Sequence, residues 1–107
     1  MSKIDQQMVN AILERRNWHR GNRGVRVFDT EIQVTLWGNL IAVIRDDTVL
    51  IRHCGYETRL TAKVLEAILS IYPSPHPRVY IRNFRMYTSF SGNTSEVLPL
   101  MFIQIPR

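Results

Sequence analysis

The sequence has one cysteine, Cys54, two lysines, Lys3 and Lys63, and no long apolar run. A lone cysteine excludes an intramolecular disulfide framework and suits a reducing compartment. No stretch approaches the roughly 18 apolar residues that a membrane helix needs, and the N-terminus lacks the apolar segment of a signal peptide. The expectation is therefore a soluble cytoplasmic protein with no membrane partner. There is no glycine-rich phosphate loop ending in lysine and no serine on a strand-to-helix turn motif. The three histidines, His19, His53 and His76, stand far apart without a second ligand at metal spacing, so neither a metal nor a cofactor is expected.

His53-Cys54 is the one pairing that resembles an activated thiol. Adjacent strand residues point to opposite faces, so a buried Cys54 beside an exposed His53 is the simpler reading. Asp46-Asp47 falls where a hairpin turn is expected, and acids there serve the turn. No catalytic residue is assigned. The chain reads as a binding protein and not as an enzyme.

What is present is positive charge, and nearly all of it is arginine. Residues 1–107 fit a single domain with a net charge of +5 and a sequence pI near 10.0. Such an excess favours polyanions. Twelve of the fourteen basic residues are arginines, whose planar donor fork suits phosphates, carboxylates and stacked bases.

The apolar pattern predicts an α+β fold. Ser2 is placed to cap a helix from about Lys3 to Arg16, with Ile4, Met8, Val9, Ile12 and Leu13 in one stripe. Arg15 to Gly24 reads as an Arg-rich loop. From Val25 the period changes to two, and a meander of strands runs to His53, with Gly38-Asn39 as a two-residue hairpin turn and Asp46-Asp47 as the next. Pairing across Gly38-Asn39 puts Ile32, Val34, Leu36, Ile41 and Val43 on one face and Trp37, Leu40 and Ile44 on the other. Thr58 or Thr61 caps a second helix to about Ile71, which Pro73-Ser74-Pro75-His76-Pro77 ends. Arg78 to Phe90 reads as a long strand, and Glu96 to Ile105 as its return, with Pro99 at an edge or bulge. The expected architecture is an antiparallel sheet of five or six strands with an N-terminal helix and one inserted helix.

The segments Gly21-Asn22-Arg23-Gly24-Val25, Leu36-Trp37-Gly38-Asn39 with Ile41-Ala42, and Gly55-Tyr56-Glu57-Thr58-Arg59-Leu60-Thr61 form a recognisable series. It resembles a small domain in many bacteriophage proteins of unassigned function. That domain runs Asn-Thr-Arg-Val, then Leu-His-Gly-Asn-x-Ile-Ala, then Gly-Trp-x-Thr-x-Thr-Thr. The likeness covers about residues 21–71. Leu60, Val64 and Glu66 depart from the polar helix of that domain. The resemblance implies a phage origin, an accessory role in the host cell cytoplasm, and no particular site.

Two clusters carry binding chemistry. Arg15, Arg16, Arg20, Arg23 and Arg26 fall within twelve residues and include Trp18 and His19, the phosphate-neutralising and stacking groups of nucleic-acid binders. In Arg78 to Tyr87, Tyr80, Arg82 and Arg85 offer the same combination on a strand. A third feature, the face bearing Trp37, Leu40 and Ile44, suits a protein interface or a homodimer. Two functional readings follow. One is an accessory protein that binds nucleic acid through the Arg-rich loop. The other is an anti-CRISPR-like inhibitor of a host enzyme or defence complex, whose partner is a nucleic-acid-handling protein.

Overall fold

A computed structural model describes all 107 residues. In chain order the elements are α1 (Lys3–Leu13), β1 (Trp18–Arg20), β2 (Arg23–Val27), β3 (Ile32–Leu36), β4 (Asn39–Ile44), β5 (Thr48–Ile51), α2 (Arg59–Leu69), β6 (Arg78–Arg82), β7 (Arg85–Phe90), β8 (Asn93–Glu96) and β9 (Ile103–Pro106). The fold is α+β, with two antiparallel sheets. One is six-stranded in the order β1-β2-β3-β4-β5-β9, and the other three-stranded in the order β6-β7-β8.

Ser2 caps α1, its hydroxyl accepting the Asp5 amide at 3.2 Å. The helix ends at Leu13, short of Arg16. Arg15 takes a left-handed φ of 51°, its amide bonds to the Ile12 carbonyl, and the Arg16 amide bonds to the Ala11 carbonyl. That is the Schellman arrangement, with arginine where glycine is usual. Met8, Val9, Ala11 and Ile12 are buried. Thr58, not Thr61, caps α2. Seven of the eleven α2 residues are buried, so this helix is the centre of the core. Just beyond it, the Tyr72 hydroxyl donates to the Ile105 carbonyl at 2.6 Å, and burial pushes the phenol up to about 12.

Three parts of the chain depart from the sequence expectation. The segment from Arg15 to Gly24 is not a loop: β1 and β2 form a hairpin across Gly21-Asn22, with Gly21 at φ 59° in the first turn position. Arg78 to Phe90 is not one strand either but a hairpin, turned by Asn83 and Phe84 at φ 51° and 64°. The return from Glu96 is broken: β8 ends there, and β9 joins the other sheet beside β5.

The face assignment in the meander also changes. The turn residues are Trp37 and Gly38, so Leu36 pairs with Asn39 and Thr35 with Leu40. A bulge then leaves Ile41 as the extra residue, and Val34 meets Ala42 while Ile32 meets Ile44. One inserted residue reverses side-chain parity beyond it. Ile44 therefore joins Ile32 and Val34 in the core, at 4% exposure, and Val43 lies opposite Gln33 on the other face. Of the expected interface trio only Trp37 and Leu40 remain at the surface.

His53 and Cys54 are also reversed. His53 is the buried member and Cys54 is half-buried. The chain leaves the strand at Ile51, and Cys54 and Gly55 take positive φ values of 56° and 90°, so strand alternation no longer governs the pair. The His53 Nδ1 accepts the Gly55 amide at 3.0 Å, and the Cys54 thiol donates to the Leu40 carbonyl at 3.1 Å.

Arg23, at the start of β2, is 4% exposed and forms an ion pair with Asp5 of α1, which is fully buried. Lys63 of α2 reaches the second Asp5 oxygen at 3.5 Å. Removing one partner of such a pair strands the other charge away from water. Asp5→Asn should lower stability by about 3–5 kcal/mol, read from the urea midpoint. The paired change Asp5→Leu with Arg23→Met should recover most of that loss.

A second prediction concerns pH. Burial lowers the His53 pKa below its ordinary 6.5 and outweighs the raising effect of Glu57 and Glu96, while Arg85 adds to the lowering. The unfolded chain thus takes up a proton that the folded chain resists. The His53 contribution is complete above about pH 6.5 and declines as pH falls through that value towards the folded-state pKa. Unfolding free energies measured from about pH 7 down to 5 should fall for the wild type and be flatter for His53→Gln.

Candidate nucleic-acid interface

The α1–β1–β2 end carries exposed arginines, but they are not equivalent. Arg15 donates to the Phe28 carbonyl at 3.0 Å, Arg16 pairs with Glu14 at 2.8 Å, and Arg20 donates to Gln7 at 2.6 Å. All three remain solvent-exposed. Arg23 is removed from any ligand by its buried pair with Asp5, which corrects its place in the expected cluster. Trp18 is half-buried and packs against the core.

His19 and Arg26 point to the other face of the sheet. In the ladder His19 meets Gly24, Gly24 meets Thr35, and Thr35 meets Leu40. Gly24 has a packing reason to be glycine: a Cβ there would lie 2.9 Å from the Thr35 hydroxyl. The result is a shallow depression of about 450 Å³ lined in part by Asn17, Trp18, His19, Arg26 and Thr35.

The β6–β7 hairpin brings the other predicted residues together. Because the chain turns at Asn83-Phe84, Arg82 pairs with Arg85, Tyr80 with Tyr87, and Arg78 with Ser89. These pairs share the outer face, while Val79, Met86 and Thr88 are buried beneath it. The Tyr80 and Tyr87 rings lie 6.0 Å apart at an interplanar angle of 30°. Reading the segment as one strand places Tyr80 and Arg82 with Phe84 and Met86. The turn takes Phe84 to the tip and replaces Met86 with Arg85 and Tyr87, so the outer face sets a cationic pair beside an aromatic pair.

Tyr87 and Phe84 were not singled out from the sequence. Phe84 is 92% exposed at the hairpin tip. The available signal was Asn83, a residue that tolerates the left-handed region, next to a position where the usual glycine is replaced.

Two carboxylates of the α2 region hold this hairpin in place. Glu66 accepts the Val79 amide and the Arg78 Nε, both at 2.9 Å. Glu57 accepts the Met86 amide at 3.1 Å and lies 3.7 Å from the Arg85 guanidinium. Arg82 has no acidic partner.

A separate apolar area surrounds Arg52. Its guanidinium donates to the carbonyls of Leu40 and Leu100 and lies 4.3 Å from the centre of the Phe102 ring. Leu100 and Met101 are exposed, and nearby Trp37 packs on Tyr56 with ring centres 5.5 Å apart.

No helix is long and apolar enough to cross a membrane. No curated protein and no solved structure matches the chain. A protein-family match spans residues 1–104 and supports the phage origin implied by the short motifs over about 21–71, though it does not bear on that motif pattern itself. The chain belongs to the Kyanoviridae Gp96 protein family, a family of phage proteins.

Proposed function

We propose that this phage protein binds single-stranded nucleic acid in the host cytoplasm, on the outer face of the β6–β7 hairpin. The observation that carries the reading is the half-buried, mutually tilted Tyr80–Tyr87 pair beside the exposed Arg82–Arg85 pair on one face of the hairpin. Aromatic rings stack bases without regard to sequence, and arginines beside them neutralise the phosphates between those bases. The exposed Arg15, Arg16 and Arg20 on one side of the β1–β2 hairpin, and Arg26 with His19 on the other, supply further basic groups for the same polyanion. The role is binding and requires no catalytic group.

A second reading has its own observation. The exposed apolar side chains Trp37, Tyr56, Leu100 and Met101, with half-buried Leu40, suit a protein partner, because exposed apolar surface favours being covered. On this reading the chain is an anti-CRISPR-like inhibitor of a host nucleic-acid-handling protein, or pairs with a second copy of itself. Capture from host lysate with and without nuclease separates the two readings. A discrete protein that survives nuclease supports the inhibitor.

Oligonucleotide affinity measured against salt tests the first reading. For a single strand the log–log slope should shrink by roughly 0.7 per contacting arginine removed. Arg82→Gln with Arg85→Gln should therefore weaken binding and flatten the slope together. Tyr80→Ser should weaken binding by about 1–3 kcal/mol per base unstacked and leave the slope nearly unchanged. Circular dichroism establishes that each variant is folded. If the parent binds no DNA or RNA strand at about 0.15 M salt, or if the folded arginine variant binds as the parent does, the reading is wrong.

A further inference from the structure

Of the four residues at the tip of the β6–β7 hairpin, all but Asn83 break a local rule. A two-residue turn with both central φ values positive favours glycine in its second position, and here that position is Phe84 at φ 64°. A bulky side chain in the left-handed region is a backbone outlier. The ring gains no packing in return: it is 92% exposed, and the aromatic pairs of the molecule, Trp37–Tyr56, Tyr72–Phe90 and Tyr80–Tyr87, do not include it. Behind the turn Arg82 and Arg85 stand directly opposite one another, and like charges in that position repel. Glu57 offsets the repulsion only in part, from 3.7 Å and on the Arg85 side alone. Strain, exposed apolar surface and opposed cations within Arg82-Asn83-Phe84-Arg85 mark a site whose stabilising partner lies outside the chain.

Resting on the nucleic-acid reading above, we propose that Phe84 is a wedge that inserts between adjacent bases of a bound strand and opens their stack. Each unfavourable feature is then relieved by the same ligand. The ring is buried between two bases, as apolar side chains are when they part a base step. The phosphates flanking that step lie between Arg82 and Arg85 and turn their repulsion into shared attraction. The left-handed backbone projects the ring beyond the hairpin, and the Tyr80–Tyr87 pair, next along the ladder, receives a base displaced from the opened step. β6 is tied to α2 through Glu66 and β7 to the turn before α2 through Glu57, which anchors both strands behind the wedge.

The test uses the full chain and a single-stranded deoxyadenosine oligonucleotide with one internal 2-aminopurine, whose fluorescence rises when it unstacks. The wild type should raise that fluorescence on binding. Phe84→Gly should abolish the rise and weaken binding by roughly 5- to 150-fold, the span associated with one base stack. It should also raise the urea midpoint, since glycine relieves both the strain and the exposed ring. Phe84→Trp should restore the fluorescence change. A wild type that binds the strand in a salt-dependent manner without changing 2-aminopurine fluorescence overturns the wedge and leaves the interface standing. So does a Phe84→Gly variant that matches the wild type in both signals. A wild type that binds no strand overturns both. If Phe84→Gly instead abolishes capture of a nuclease-resistant host protein, the ring is a protein anchor and the wedge is wrong.

Discussion

The carboxylate of Asp5 has no solvent exposure, and three elements meet on it. Asp5 sits in the first turn of α1, where the positive end of the helix dipole and the Ser2 cap favour an acid. It pairs with Arg23 at the start of β2 and is approached by Lys63 of α2 at 3.5 Å. These contacts set where α1 lies across the β1–β2 hairpin and how α2 lies beside α1. Apolar stripes alone would tolerate a range of helix positions; a desolvated charge held by Arg23 and approached by Lys63 does not. The arrangement is dear in solvation terms, since the second Asp5 oxygen and the Arg23 Nε lack a hydrogen-bond partner in the protein. Its contribution is to the definition of one packing, and the unpaired alternatives are excluded by the cost of leaving either charge alone.

That constraint also explains why charge clustering in the sequence does not map directly onto a surface. Arg20, Arg23 and Arg26 are close neighbours in the chain, yet they have three different fates. Arg23 and Arg26 are three apart in β2, so strand alternation sends them to opposite faces. Arg20 shares the face of Arg23 but lies in the edge strand, where it reaches Gln7 and stays exposed. Nothing in residue type separates the structural arginine from the others. The distinguishing partner, Asp5, is eighteen positions away and looks from the sequence like an ordinary helix-capping acid.

Elements whose signals are local were legible. Both helices, the Ser2 cap, a cap of α2 at Thr58 or Thr61, the β3–β4 hairpin and the inserted position of α2 follow from apolar period and turn chemistry. Two of the losses share one cause, which is that backbone direction changed without the expected residue. Ile41 is an ordinary strand residue, and only the pairing of its neighbours shows it to be a bulge. Asn83-Phe84 lacks the glycine that would mark a turn, so two strands read as one. A two-residue turn puts residues three apart on the same face, and this is why Arg85 and Tyr87, not Met86, accompany Tyr80 and Arg82. The candidate residues were visible by type; their grouping depended on a turn that left no compositional trace.

The two acids that hold the hairpin shape its electrostatics as well as its position. Glu57 and Glu66 satisfy backbone amides of β7 and β6, and each also lies close to an arginine, Arg85 and Arg78 respectively. Exposed pairs of this kind are weak, so either arginine is released to a phosphate at little cost. The carboxylates nevertheless stay behind, and with Glu96 opposite Tyr87 they keep the net charge of this face low. On the nucleic-acid reading, long-range attraction would come mainly from Arg15, Arg16, Arg20 and Arg26, while the hairpin would act at short range through stacking and through Arg82 and Arg85. A polyanion would be drawn in by one surface and discriminated by the other. On the same reading, Arg82 and Arg85 would share the salt dependence with those more distant arginines, and the aromatic face would favour unpaired bases, whose rings are free to stack.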